Sequence, residues 1–225
     1  MKKVFVVNGI NSELGQFFVK KIIQKNYVIG FYRKRYNGLT NKNLFIFNKI
    51  KNSKKISSII NKCNKIIFIN FAAQRDESLL VNLDENKSQE IINSNILSSL
   101  SIIKNILPHM IKNEYGRIIF LSSKKAEYGS KGNILYSFSK VGLQGISKTL
   151  AKEYAKFNIT SNVISLGYFD TKMWKSLKSN IKKDLLENTL NKKLGNPNVL
   201  VDTIKLIVNH SFINSSKLDI DGGTF

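Results

Sequence analysis

The chain has 225 residues, 42% of them hydrophobic, one cysteine and a formal net charge of +21. That length and apolar content suit one domain over residues 1–225 with a sizeable core and exclude a disordered or fibrous chain. A lone Cys63 excludes an intramolecular disulfide and any CxxC motif, and His109 and His210 lack ligand spacing, so no metal site is expected.

In chain order, residues 4–7 form a short apolar run that reads as a buried strand. The run stops at Asn8, too short for a secretory leader. Leu14, Phe18 and Ile22 then share one face of a helix. Strands are predicted at 27–32 and 44–47, a helix at 56–63 and a fourth strand at 66–69. A long helix should cover 89–111, with a break near Pro108. Strand 118–121, a helix over 136–156 and strand 161–165 follow. Residues 171–193 read as a polar, lysine-rich helical stretch, 199–209 as a helix and 217–220 as a last strand. This alternation predicts an α/β fold, a Rossmann-type, doubly wound parallel sheet with helices on both faces. No run of about 18 apolar residues exists, so a cytoplasmic protein without a membrane partner is expected.

The charge would suit a nucleic-acid-associated protein on such a scaffold. Only Arg33, Arg35, Arg75 and Arg117 are arginines, however, and the lysines are spread along the whole chain. A dedicated nucleic-acid binder would draw more on arginine, which forks onto phosphates and base edges. The charge is read as a solvated surface.

Four sites carry chemistry. The turn from Asn8 to Gly15 joins the first strand to the first helix with small and flexible residues, so a dinucleotide pyrophosphate can approach free helix N–H groups there. Gly9, Asn11, Ser12, Leu14 and Gly15 are its candidate contacts. At the end of the second strand, Tyr32 is followed by Arg33, Lys34 and Arg35 with no carboxylate. Arg33 there suits a 2′-phosphate, which favours NADP(H) over NAD(H). Tyr136 and Lys140 lie four apart on one helix face, where an ammonium group should lower the phenol pKa from about 10 and make Tyr136 a usable acid/base. Ser122 and Ser123 end a strand at the crevice side of the sheet, so Ser123 can hydrogen-bond a substrate oxygen.

Together these features resemble the short-chain dehydrogenase/reductase family over nearly the whole chain, nearest to the branch that includes 3-oxoacyl-[acyl-carrier-protein] reductases. The family's Thr-Gly-xxx-Gly-Ile-Gly is similar to Asn8–Gly15. Its Asn-Asn-Ala-Gly is similar to Asn70-Phe71-Ala72-Ala73, and its Tyr-xxx-Lys to Tyr136 and Lys140. Its Asn-xxx-Pro-Gly-xxx-Thr resembles the stretch from Asn162 through Leu166 and Gly167 to Thr171, and its Asp-Gly-Gly resembles Asp221-Gly222-Gly223. The resemblance implies a catalytic set of Asn95, Ser123, Tyr136 and Lys140. Tyr136 would exchange a proton with a carbonyl or alcohol oxygen held by Ser123. Lys140 would also bind the nicotinamide ribose, and Asn95 would position a water for proton resupply. Asn70, Ala72, Gly167, Phe169 and Thr171 would join the cofactor contacts.

Glu13 stands at the family's second glycine, where a carboxylate near a pyrophosphate is unfavourable unless it points into solvent. Ala73 replaces a glycine and Leu166 a proline, and the segment between Tyr32 and Ile66 is shorter than usual for the family. The resemblance implies interconversion of a carbonyl and a secondary alcohol. The first-choice substrate is a small-molecule or acyl-carrier-bound 3-oxoacyl thioester, and a sugar or other polar metabolite is the alternative. Cations at Lys124, Lys125, Lys172 and Lys175, with Trp174, stand either as receivers of an anionic substrate group or as ordinary surface around a lid. The resemblance also implies a homotetramer or homodimer, assembled through the two long helices.

Overall fold

The computed structural model describes residues 3–48 and 53–224, leaving aside the side chains of Ser53 and Met173. Residues 49–52, within the segment expected to be short, lie outside the described residues. The elements run β1 (Lys3–Asn8), α1 (Glu13–Ile22), β2 (Tyr27–Phe31), β3 (Leu44–Phe47), α2 (Ser53–Ile60), β4 (Lys65–Asn70), α3 (Glu85–Ile92) and α4 (Ser98–Lys112). The chain continues through β5 (Gly116–Ser123), α5 (Lys124–Glu127), α6 (Ile134–Tyr154), β6 (Ile159–Leu166), α7 (Lys172–Lys175), α8 (Ser179–Glu187), α9 (Pro197–Asn209) and β7 (Lys217–Ile220).

The strands make one parallel sheet in the order β3-β2-β1-β4-β5-β6-β7. From β1 the chain winds outward through β2 and β3, then returns to the other side of β1 and continues from β4 to β7. The order reverses between β1 and β4, and a crevice opens there beyond the carboxyl ends of the strands. β1, β4 and β5 are buried along nearly their whole length, which is why they read as unbroken apolar runs. Alternate residues feed two cores. Val4, Val6, Ile66, Phe68, Ile118 and Phe120 pack on one side, against residues of α2, α4 and α6. Phe5, Val7, Ile67, Ile69 and Ile119 pack on the other, against α1 and α9.

Two expectations are corrected. The long helix does not break at Pro108. It runs through that residue to Lys112, because Pro108 and Lys104 are both exposed and water can satisfy the carbonyl the proline leaves unpaired. The interruption is a π-helical turn at Asn93–Leu97, which joins α3 to α4. Residues 171–193 form two short helices, α7 and α8, and Thr189 then bridges to Thr224. The helix that carries Tyr136 starts at Ile134, directly after Asn133, so Tyr136 lies in its first turn.

Candidate active site

The β1–α1 turn meets the end of β4 at very short range. Gly9 has φ +74°, and a Cβ there would sit 2.5 Å from the Ala72 amide nitrogen. Asn8 takes the place of the family threonine and ties the strand ends together. Its Nδ2 donates to Asn70 Oδ1 at 3.0 Å and to Ser98 Oγ at 2.9 Å. Asn70 Oδ1 also accepts from the Ala72 amide at 3.2 Å. Fully buried and bonded in this way, Asn70 shapes the crevice without lining it.

A cleft of about 950 Å³ opens at the switch between β1 and β4. Gly9, Asn11, Ser12, Arg33 and Ala72 line it, together with Tyr32, Lys34, Asn48 and Gln74. Leu14, Gly15, Asn70, Tyr136, Lys140, Gly167, Phe169 and Thr171 do not, so the open space covers only one half of the expected dinucleotide path. The fit to a dinucleotide is otherwise good. Ser12 caps α1 by accepting from the Gly15 amide at 3.1 Å, and the first turn of α1 presents a positive dipole end to the turn. Glu13 is the misfit: its Oε2 accepts from the backbone amide of Lys172 at 2.6 Å.

Arg33 reaches over the cleft. It donates to Gln74 Oε1 and pairs with Glu90 at 3.6 Å, and Gln74 Nε2 donates to Glu90 at 3.3 Å. Nothing in the sequence flags Gln74 or Glu90 as partners of Arg33, because both arrive from elements distant in the chain.

The structure brings Ser123, Tyr136 and Lys140 together where β5 ends against α6. Ser123 occupies the N-cap position of α5 yet makes no cap hydrogen bond with its side chain, which instead interacts with the Tyr136 phenol. Ser122 points the other way and donates to the Lys140 carbonyl at 3.0 Å, fastening β5 to α6. The Lys140 ammonium lies 5.9 Å from the centroid of the Tyr136 ring. It is wholly buried and donates to the carbonyls of Leu121 at 2.9 Å and Ala72 at 3.2 Å. Burial lowers its pKa to about 8.

The expected depression of the Tyr136 pKa is not present in this state. Burial raises it, with the Ser123 hydrogen bond and the Arg75 charge pulling downward against that effect. The physical reason is that a phenolate here loses hydration while the Lys140 ammonium is engaged by two backbone carbonyls.

Asn95 is fully buried on the π-helical turn. Its Oδ1 accepts from the Gln74 amide at 2.7 Å, and its Nδ2 donates to the Gln74 carbonyl at 2.8 Å and to Ser139 Oγ at 2.9 Å. Its side chain thus braces the β4–α3 loop against α6. Gly167 is small for a packing reason, since a Cβ there would sit 2.5 Å from the Asp221 Cα. Phe169 is buried and bridges to Gly195. Thr171 caps α7, accepting from the Trp174 amide at 3.4 Å.

Of the cations at the rim, Lys124 is not free to receive a substrate anion. It lies 2.9 Å from Asp219, 3.6 Å from Glu127 and 3.9 Å from Asp221, and the Asp219 hydrogen bond holds its pKa well above the usual lysine value. Lys175 pairs with Asp170 at 3.3 Å, and Trp174 is buried against Tyr168.

A parallel doubly wound sheet with a serine, a tyrosine and a buried lysine gathered at its carboxyl edge defines an oxidoreductase of the nicotinamide-dependent Rossmann class. The family model described as short chain dehydrogenase matches residues 3–182, and the chain belongs to that family. It is similar to the 3-oxoacyl-[acyl-carrier-protein] reductase FabG of Buchnera aphidicola subsp. Acyrthosiphon pisum, 33% identical over 97% of this chain and 96% of the relative. The FabG reductase of the Schizaphis graminum subspecies is 31% identical over 100% of this chain and 98% of its own. The same fold occurs in the solved structure of ElxO with NADP bound, with a TM-score of 0.84 and 22% identity, covering 99% of this chain and 98% of that one. A short chain dehydrogenase family protein from Francisella tularensis matches with a TM-score of 0.81 and 17% identity over 99% and 98% of the two chains.

Proposed function

We propose that this single-domain protein is a cytoplasmic NADPH-dependent reductase of 3-oxoacyl thioesters carried on an acyl-carrier protein, working as a homodimer or homotetramer. The observation that carries the reading is the Ser123–Tyr136 interaction beside a buried Lys140 at the end of β5. When bound, a nicotinamide dinucleotide supplies the hydride. Ser123 Oγ holds the substrate carbonyl oxygen, and Tyr136 Oη donates the proton that this oxygen takes up. Lys140 sets its charge beside the ring, where it stabilises the phenolate left behind. Asn95 and Gln74 keep the loop over the cleft in place.

The NADP preference is supported by Arg33, which lines the cleft at the end of β2 and would exchange Glu90 for a 2′-phosphate. The acyl-carrier substrate is supported by the names of the relatives at 31–33% identity. Among the described residues no helix is long and apolar enough to cross a membrane.

The test follows NADPH absorbance over a panel of 3-oxoacyl thioesters, keto-sugars and simple ketones. A 3-oxoacyl thioester should be the best substrate, and Tyr136→Phe should lose at least about 100-fold in kcat. NADPH should outperform NADH, with Arg33→Asp erasing or reversing the preference. Turnover that survives Tyr136→Phe would end the proton-transfer assignment. A keto-sugar preferred over every thioester would replace the substrate class.

A further inference from the structure

Glu13 occupies the one position of the dinucleotide turn where this chain carries a charged side chain in place of a family glycine. It is the first residue of α1, and its carboxylate grips the first amide of α7, at Lys172, 2.6 Å away. The two helices begin beyond the ends of β1 and β6, which have β4 and β5 between them. At about 4.8 Å per neighbour, the strand ends are roughly 14 Å apart, so the contact crosses the mouth of the crevice like a strap. The open cleft is consistent with this placement. It is lined by the ends of β1, β2 and β4, while Tyr136, Gly167, Phe169 and Thr171 stand outside it. Glu13 follows directly on Ser12, which lines that open space, and Lys172 follows directly on Thr171, which does not, so the strap ties the open cleft to the segment beyond it.

We propose that Glu13 is a latch that holds the α7 segment shut over the catalytic half of the cleft until a dinucleotide diphosphate displaces its carboxylate from the mouth. The proposal rests on the dinucleotide reading of the cleft and adds a gate to it. A diphosphate arriving at the α1 N-terminus is repelled by a carboxylate in the same space. The amide at Lys172 loses its partner as the latch opens, and α7 is freed to move. Cofactor entry and substrate access are then one event, with Glu13 lowering cofactor affinity as the cost of coupling them.

The only tryptophan of the chain, Trp174, lies on α7, buried beside Tyr168, and reports directly on the latch. Two variants separate the parts. Glu13→Gln removes the charge at an exposed position of α1. Lys172→Pro removes the amide that Glu13 grips; proline suits the first position of a helix, and Thr171 before it already has extended backbone (φ −134°, ψ 164°). Calorimetric titration with NADPH should show Glu13→Gln binding about tenfold more tightly than the parent. In cofactor-free protein, acrylamide quenching of Trp174 should rise about twofold in both variants. NADPH affinity that is unchanged or weaker in Glu13→Gln overturns the latch, and so does quenching that neither variant alters. Absence of NADPH and NADH binding in the parent and both variants overturns the dinucleotide reading and takes the gate with it.

Discussion

Lys140 shows how a single residue can hold an unfavourable charge inside the fold, here beside the Tyr136 ring. Its ammonium is buried with two backbone carbonyls and, among the described residues, no carboxylate as hydrogen-bond partners, and burial lowers its pKa from 10.5 to about 8. The unfolded chain binds more protons than the folded one between those values, so stability rises with pH across that window. Below about pH 8 the full penalty applies, roughly 3 kcal/mol at 1.36 kcal/mol per pKa unit. Urea unfolding at pH 7 and pH 10 should show the parent gaining about 2–3 kcal/mol relative to Lys140→Met, which lacks the titrating group. A parent-to-variant difference that stays flat with pH would mean the lysine is hydrated in solution. The same residue would help Tyr136 only once charge develops on the phenol, which is why burial dominates the resting state.

At the scale of elements, the site depends on how closely the ends of β1 and β4 approach. Gly9 meets Ala72 backbone to backbone, while the Asn8–Asn70–Ser98 hydrogen bonds hold β1, β4 and α4 in one arrangement. A side chain at Gly9 meets both a left-handed φ of +74° and a backbone clash, and neither can relax without parting the strands. Gly9→Ala should cost about 2 kcal/mol or more and lower Tm by roughly 5 °C in a scanning-calorimetry melt. The π-helical turn has a comparable local importance. It places Asn95 so that one side chain bonds Gln74 on the cleft loop and Ser139 on α6.

The whole molecule presents an apolar stripe on α6 that the fold itself does not cover. Ile134, Phe138 and Val141 are exposed at helical spacing, and Leu97 on the π-helical turn is exposed as well. The proposed homo-oligomer would bury this stripe. Size exclusion with light scattering should give a mass two or four times 25.6 kDa for the parent, and Phe138→Glu should move it toward the mass of one chain. A parent that is monomeric at micromolar concentration would remove the assembly from the proposal.

The chain alone was enough to establish the order of strands and helices and the parallel sheet, and to single out Ser123, Tyr136 and Lys140 as candidates. Each of these is written in local spacing: apolar runs bounded by turns, a pair four apart on a helix, a serine at a strand end. The strand at Leu44–Phe47 and the last one at Lys217–Ile220 match the pattern residue for residue. Tertiary structure alone decided which groups those residues meet. Glu13 finds Lys172 across 159 positions, Lys124 finds Asp219 across 95, and Arg33 finds Gln74 across 41. Periodicity is a property of neighbours in the chain, whereas these contacts are made where strand ends and loops converge. The direction of the Tyr136 pKa shift belongs with them, because desolvation depends on everything packed around the phenol and not only on the lysine one turn away.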